Sequence, residues 1–219
     1  MTPRFGYALP ILAVAACTAQ LRPAPPPPGE RPASVAALAA AIDAAAKRSD
    51  HEPDARIRGD LAEAANADAA DCIARAPQAP ECLYGQALAL GLMARAHPTR
   101  AGEFLRKMLE ALASAESADP TYDEAGPARV RALVLLRAPG WPLGPGDSEA
   151  GLAAARRAIA LRPDYPPNLL ALAEALAKSG DAGGAHDNYA RARDAAQALP
   201  AAADRDEWLR EAQAGLQRR

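Results

Sequence analysis

Pro167-Asn168-Leu169-Leu170-Ala171-Leu172-Ala173-Glu174-Ala175-Leu176, then Gly180-Asp181, then Ala185, Tyr189 and Ala192, is the stretch that decides the fold. The first ten residues form an apolar run that reads as a helix. Gly180 stops it, because glycine accepts the left-handed conformation in which many helices end. Asp181 is a side-chain cap for the next helix, whose free backbone N–H groups need an acceptor. The segment is a helical hairpin with a short turn.

Small and aromatic residues fall in a recognisable register around that turn. Leu172-Ala173, Gly180, Ala185, Tyr189 and Ala192 occupy the positions that the tetratricopeptide repeat gives to its Leu-Gly pair, turn glycine, small residue, aromatic and second small residue. One helix upstream, Ala158, Leu161 and Pro163 match the end of a preceding copy. The stretch therefore resembles a tetratricopeptide repeat over about 40 residues.

Other copies are more degenerate. Cys82-Leu83-Tyr84-Gly85-Gln86-Ala87-Leu88-Ala89-Leu90 starts one hairpin, completed by Phe104 to Ala118 and stopped at Pro120. Gly126-Pro127-Ala128-Arg129-Val130-Arg131-Ala132-Leu133-Val134-Leu135-Leu136 starts another, with Pro127 suited to the first helical turn. Ser34 to Lys47 and Asp54 to Ala74 form an Ala-rich pair before them. Ala201 to Gln217 closes the series as an amphipathic cap with Trp208, Ala212 and Leu216 inward. Four hairpins are predicted, at 33–75, 80–118, 125–162 and 166–199. The fold class is all-α, a superhelical array of TPR-like hairpins with a C-terminal capping helix.

Composition agrees. Of 219 residues, 60 are alanine, which leaves few larger apolar side chains for the pleated faces of a β-fold. Alanine is the best helix former and lets helices pack closely. With 25 basic and 27 acidic residues and no basic block, the chain lacks the footprint of a nucleic-acid binder. Three cysteines and three histidines do not make a zinc module, and no Walker A, GxGxxG or HExxH motif is present. His51, His97 and His186 share no catalytic or metal-binding spacing and read as surface residues. No Ser or Cys has a readable base partner, so the expectation is a protein that is not an enzyme and needs no cofactor.

The first residues read as an address. Met1–Arg4 carries one cation, and Phe5–Ala16 is an apolar run too short to span a bilayer but suited to a signal peptide. Val14-Ala15-Ala16-Cys17 resembles a bacterial lipobox, which implies cleavage before Cys17 and lipidation of its thiol. Thr18 at the following position, by resemblance to known lipoprotein sorting, implies the outer membrane. Residues 17–32 include Arg22-Pro23-Ala24-Pro25-Pro26-Pro27-Pro28-Gly29-Glu30-Arg31-Pro32, a composition that favours extended polyproline II and suits a tether. The expected division is a signal peptide at 1–16, a lipidated linker at 17–32 and a repeat domain at 33–219. The expected location is the cell envelope, lipid-anchored and facing the periplasm.

Lipobox, tether and four cryptic repeats together resemble the T-component lipoproteins associated with TRAP transporters. Gly126-Pro127-Ala128-Arg129, Ala138-Pro139-Gly140-Trp141-Pro142, Gly146-Asp147, Ala158, Pro163-Asp164-Tyr165 and Leu172-Ala173-Glu174-Ala175 are similar to that family's third and fourth repeats. The resemblance implies a helical, non-enzymatic protein, oligomeric in the type case, with a cavity for a hydrophobic ligand. The alternative is an adaptor that assembles envelope proteins and has no small-molecule site.

The repeat resemblance also implies which residues line a concave face: Tyr84, Leu88 and Gly91, then Arg129, Leu133 and Leu136, then Leu170, Glu174 and Ala177. That groove is mostly apolar, with Arg129 as a polar anchor for a carboxylate, or else paired to Glu174. Trp141 lies in a Pro/Gly-rich segment that cannot be helical. It is either a lid or partner contact over the groove, or a ring tucked against its hairpin. Cys72 and Cys82 flank a proline-marked turn between antiparallel helices, where an oxidising compartment favours a bridge over two small buried thiols.

Overall fold

The computed structural model describes residues 34–218, so the readings that fall on 1–33, including the signal peptide, Cys17 and most of the proline-rich linker, lie outside the described residues. Among the described residues nine α-helices follow one another: α1 (Val35–His51), α2 (Ala55–Arg75), α3 (Pro80–Ala96), α4 (Ala101–Ala118), α5 (Tyr122–Arg137), α6 (Ser148–Leu161), α7 (Pro166–Lys178), α8 (Ala182–Gln197) and α9 (Ala203–Leu216). They are the four expected hairpins and the cap. None of the described helices is long and apolar enough to cross a membrane.

Side-chain caps set the starts. Ser34 Oγ accepts from the Ala37 amide at 3.1 Å, Asp54 Oδ1 from Arg56 at 2.8 Å, Asp147 Oδ1 from Ala150 at 2.9 Å and Asp181 Oδ1 from Gly184 at 2.8 Å. α3 and α7 start on prolines, whose missing N–H would be unpaired there anyway. Gly180, with φ of +86°, makes the turn between α7 and α8 that an L side chain would strain.

Helices pack in two layers. Each helix touches the next, and α1, α3, α5, α7 and α9 also touch one another in turn to form the inner wall. The seams are thin because they are built from alanine: Ala62, Ala65, Ala87, Ala132, Ala155, Ala173, Ala192 and Ala212 are fully buried. Glycine carries this further at two crossings. A Cβ on Gly151 would sit 2.8 Å from Leu136 Cγ, and one on Gly215 would sit 2.4 Å from the Tyr189 ring. Leu136 is therefore core under α6, which corrects its assignment to the groove.

The loop between α5 and α6 folds on itself. The Gly146 amide donates to Pro139 O at 2.9 Å, and the Asp147 amide reaches back to Leu135 O at 2.9 Å. With its backbone satisfied internally, the loop projects Trp141 and Leu143, which are 90% and 78% exposed. Trp141 is neither tucked against the hairpin nor part of the groove lining.

Cys72 and Cys82 form a disulfide that joins the end of α2 to the start of α3, with Cα atoms 5.2 Å apart and both residues fully buried. The bridge closes a short loop, ten residues in sequence. Loop-closure entropy for that length gives about 2–3 kcal/mol. Reduction, or the double substitution C72S/C82S, should lower the melting temperature by roughly 5–10 °C. Calorimetry with and without reductant checks this: an unchanged melting point shows that the bridge contributes no stability.

Candidate functional site

The inner helices enclose a cavity of about 730 Å³ that is open to solvent rather than sealed as a tunnel. α3 lines it with Glu81, Tyr84, Gly85 and Leu88, one helical stripe at steps of three and four residues. α5 contributes Asp123, Arg129, Leu133 and Arg137, and α7 contributes Leu170 and Ala171. Tyr84, Leu88, Arg129, Leu133 and Leu170 are thus brought together, as the repeat register implies. Glu174 is not among them. With Ala177 it lines a smaller cavity of about 390 Å³, where Arg137 holds it bidentately at 2.6–3.1 Å.

Nearly half of the lining comes from elements the repeat register does not reach. α1 supplies Ala36, Ala39, Ala40, Asp43, Lys47 and Asp50, and α9 supplies Asp204, Glu207, Trp208 and Glu211. The signal in α9 was its helical stripe: Asp204, Trp208 and Glu211 lie one turn apart, beside the inward face already marked by Trp208. α1 has no repeat signature, only alanines at helical spacing with acids between them.

These additions change the electrostatics. Seven carboxylates line the cavity against three cations, so the expected mostly apolar groove with one charge of each sign is corrected to an acidic one. The cations are already engaged. Lys47 lies 3.4 Å from Asp43 and 3.3 Å from Asp204, Arg137 is bound to Glu174, and Arg129 is bound to Asp123. Burial, with Glu174 and Glu207 close by, holds the Glu211 carboxyl above the usual carboxylate range, although Arg137 partly offsets them.

Arg129 has a structural task that its sequence position did not reveal. Asp123, Glu124 and Ala125 have φ of 47°, 54° and 64°, three consecutive left-handed residues without a glycine. Each costs about 1–2 kcal/mol on steric grounds. The Arg129 guanidinium, 8% exposed, compensates by donating to Asp123 O, Glu124 O and Asn168 Oδ1 at 3.1–3.2 Å, and to Asp123 Oδ2 at 2.8 Å. Asn168, fully buried, donates to Glu124 O at 3.0 Å and Arg162 O at 3.1 Å. The Tyr84 hydroxyl donates to Asp123 Oδ2 at 2.8 Å, and burial pushes its pKa far up, so it remains a donor. Hydrogen bonds to charged groups are worth about 1.5–3 kcal/mol each, enough in sum to outweigh the strain. Arg129 is thus neither a free anchor nor the partner of Glu174. Its guanidinium is taken up by the turn and by Asn168.

Among the described residues no group of three or more His, Cys, Asp and Glu converges as metal ligands. No protein-family model matches the chain, and no curated protein matches it. Among solved structures it is similar to the crystal structure of TTC0263, a thermophilic TPR protein in Thermus thermophilus. The two share 22% identity with a TM-score of 0.54, over 82% of this chain and 92% of that one. At that identity the likeness shows the fold alone: a TPR-like, all-α superhelix.

Removing the clamp should unfold the turn rather than empty the groove. Arg129→Ala and Asn168→Ala should each cost about 2–4 kcal/mol, because buried polar partners are left unpaired. Chemical denaturation reads this directly, and a loss below half a kilocalorie contradicts the clamp.

Proposed function

We propose that this protein is a non-enzymatic TPR-like adaptor that holds a segment of another protein in its concave groove, and that a lipid on Cys17 tethers it in the cell envelope. The open, solvent-facing cavity built by five inner helices is the observation that carries this reading. It exposes Leu88 and Leu133 beside charged side chains, a mixture suited to an amphipathic partner. The small and aromatic pattern of α7 and α8, and the likeness in fold to a TPR protein, support it. Nothing in the lining pairs a nucleophile with a base, and the strongest polar network is consumed in holding the backbone.

The T-component resemblance supplies a second reading, a hydrophobic-ligand lipoprotein linked to TRAP-type uptake. Leu88, Leu133 and Leu170 on the cavity wall favour it. Against it stands the surrounding ring of carboxylates, which repels a fatty acid's head group.

A photo-crosslinking residue in place of Leu133 should capture a discrete protein in cells, whereas the same residue in place of Arg156, exposed on outer helix α6, should not. Equal capture at both sites sinks the adaptor reading, and co-purifying fatty acid with no protein adduct supports the second one.

The anchor is checked separately. Cys17→Ser should move the protein from the membrane to the soluble fraction, since one or more acyl chains supply its membrane affinity. Unchanged membrane fractionation rules the anchor out.

A further inference from the structure

The groove's charge also specifies what kind of segment it holds, and the molecule contains a small precedent for how. The Arg129 guanidinium rests over the Tyr165 ring, 5.2 Å from its centroid, while donating to the Asp123 carboxylate. Tyr165 in turn meets Trp208 edge to face at 5.6 Å. Trp208 also has carboxylates beside it, but among the described residues no cation stacks on its ring. Asp204 lies one turn before it and Glu211 one turn after, with Glu207 adjacent.

Asp204 is paired with Lys47 at 3.3 Å, but the other two carboxylates are poorly compensated. Among the described residues the one ion-pair contact of Glu207 is His51, at 3.8 Å, and that of Glu211 is Arg137, at 3.9 Å, an arginine already bound closely to Glu174. Glu81 on the opposite wall makes no ion pair with any described residue. Burial is the main reason Glu211 is hard to ionise, with smaller contributions from Glu174 and Glu207 that Arg137 and Arg218 oppose. With seven carboxylates in the lining against three cations, a cation brought in by a ligand is favoured there and an anion is disfavoured. Field lines from like charges also concentrate in a concave wall, which speeds the capture of the opposite charge.

We propose that the groove takes an extended peptide segment with a lysine or arginine side chain, which seats against Trp208 among Asp204, Glu207 and Glu211 while apolar neighbours lie on Leu88 and Leu133. The proposal rests on the adaptor reading and adds the partner's chemistry to it. The aromatic face attracts the cation through its quadrupole and the carboxylates fix its position, as Tyr165 and Asp123 do for Arg129.

The two tryptophans allow a direct test. Trp141→Phe, on the exposed loop away from the groove, leaves Trp208 as the one indole reporter. The probes are a short alanine–leucine peptide with interspersed lysines and arginines, and its counterpart with glutamates at the same positions. The basic peptide should shift Trp208 emission saturably and the acidic one should not. Affinity should fall at least about tenfold between ~10 mM and ~1 M salt, where the screening length shrinks from roughly 30 Å to 3 Å. Glu207→Gln with Glu211→Gln should weaken binding about tenfold, equivalent to loss of one cation–π and carboxylate site. Glu81→Gln serves as a second variant if that pair disturbs α9, with circular dichroism checking the helices.

No saturable response to the basic peptide, or equal affinity in the glutamine variants, overturns the proposal. If that happens while Leu133 still crosslinks a protein, the adaptor reading survives and only the basic partner is lost. A response to palmitate with none to either peptide removes both.

Discussion

Close approach of helices at alanine and glycine is the constraint on which the rest of this structure depends. With 60 alanines and few large apolar side chains, no single buried residue anchors the fold. Stability comes instead from many short contacts, each requiring that backbones come near one another. That condition is met only when every hairpin is backed by the next. α9 matters for this reason: Ala212 is buried against the last hairpin, and Gly215 lets Tyr189 fit beneath it. Residues larger than alanine in the seams would push the inner helices apart and open the groove wall.

Against these thin seams, one polar cluster ties neighbouring repeats together. Arg129 on α5 and Asn168 on α7 grip the left-handed turn at Asp123–Ala125, and Tyr84 on α3 reaches the same carboxylate. Three hairpins therefore share one hydrogen-bond network. Its position at the groove wall means that a residue able to bind a ligand's carboxylate is committed to holding the backbone in place. Backbone strain of this kind survives only where the surroundings over-determine it.

The two ends of the array meet across the groove only through side chains. Lys47 and His51 on α1 reach Asp204 and Glu207 on α9, with no close backbone packing between those helices. Exposed ion pairs of that sort contribute about 0–1 kcal/mol each. The open groove is thus spanned between its ends by weak contacts alone, while its wall is fixed by helix packing.

How much of this was legible in the sequence follows from the range of each interaction. Leu172-Ala173, Gly180 and Tyr189 act within one hairpin, and Asp54, Asp147 and Asp181 cap within three residues, so helix positions, turns and the array itself could be read from local pattern. The proline-marked spacing of Cys72 and Cys82 brought them to one turn for the same reason. Leu88, Leu133 and Leu170 were found because the repeat carries their orientation with it. Where the reading missed, the partners were distant or the pattern was silent. Arg129 finds Asn168 39 residues away and a strained turn that no composition signals, and Arg137 takes Glu174 from 37 residues away. The groove's charge was missed because it comes from α1 and α9, which reach the cavity only when the superhelix brings its ends round. The sequence by itself determined the helices and their order, since those are set by short-range sterics and capping. Only the tertiary structure decided the sign of the groove, because charge there is a sum over residues that meet through packing alone.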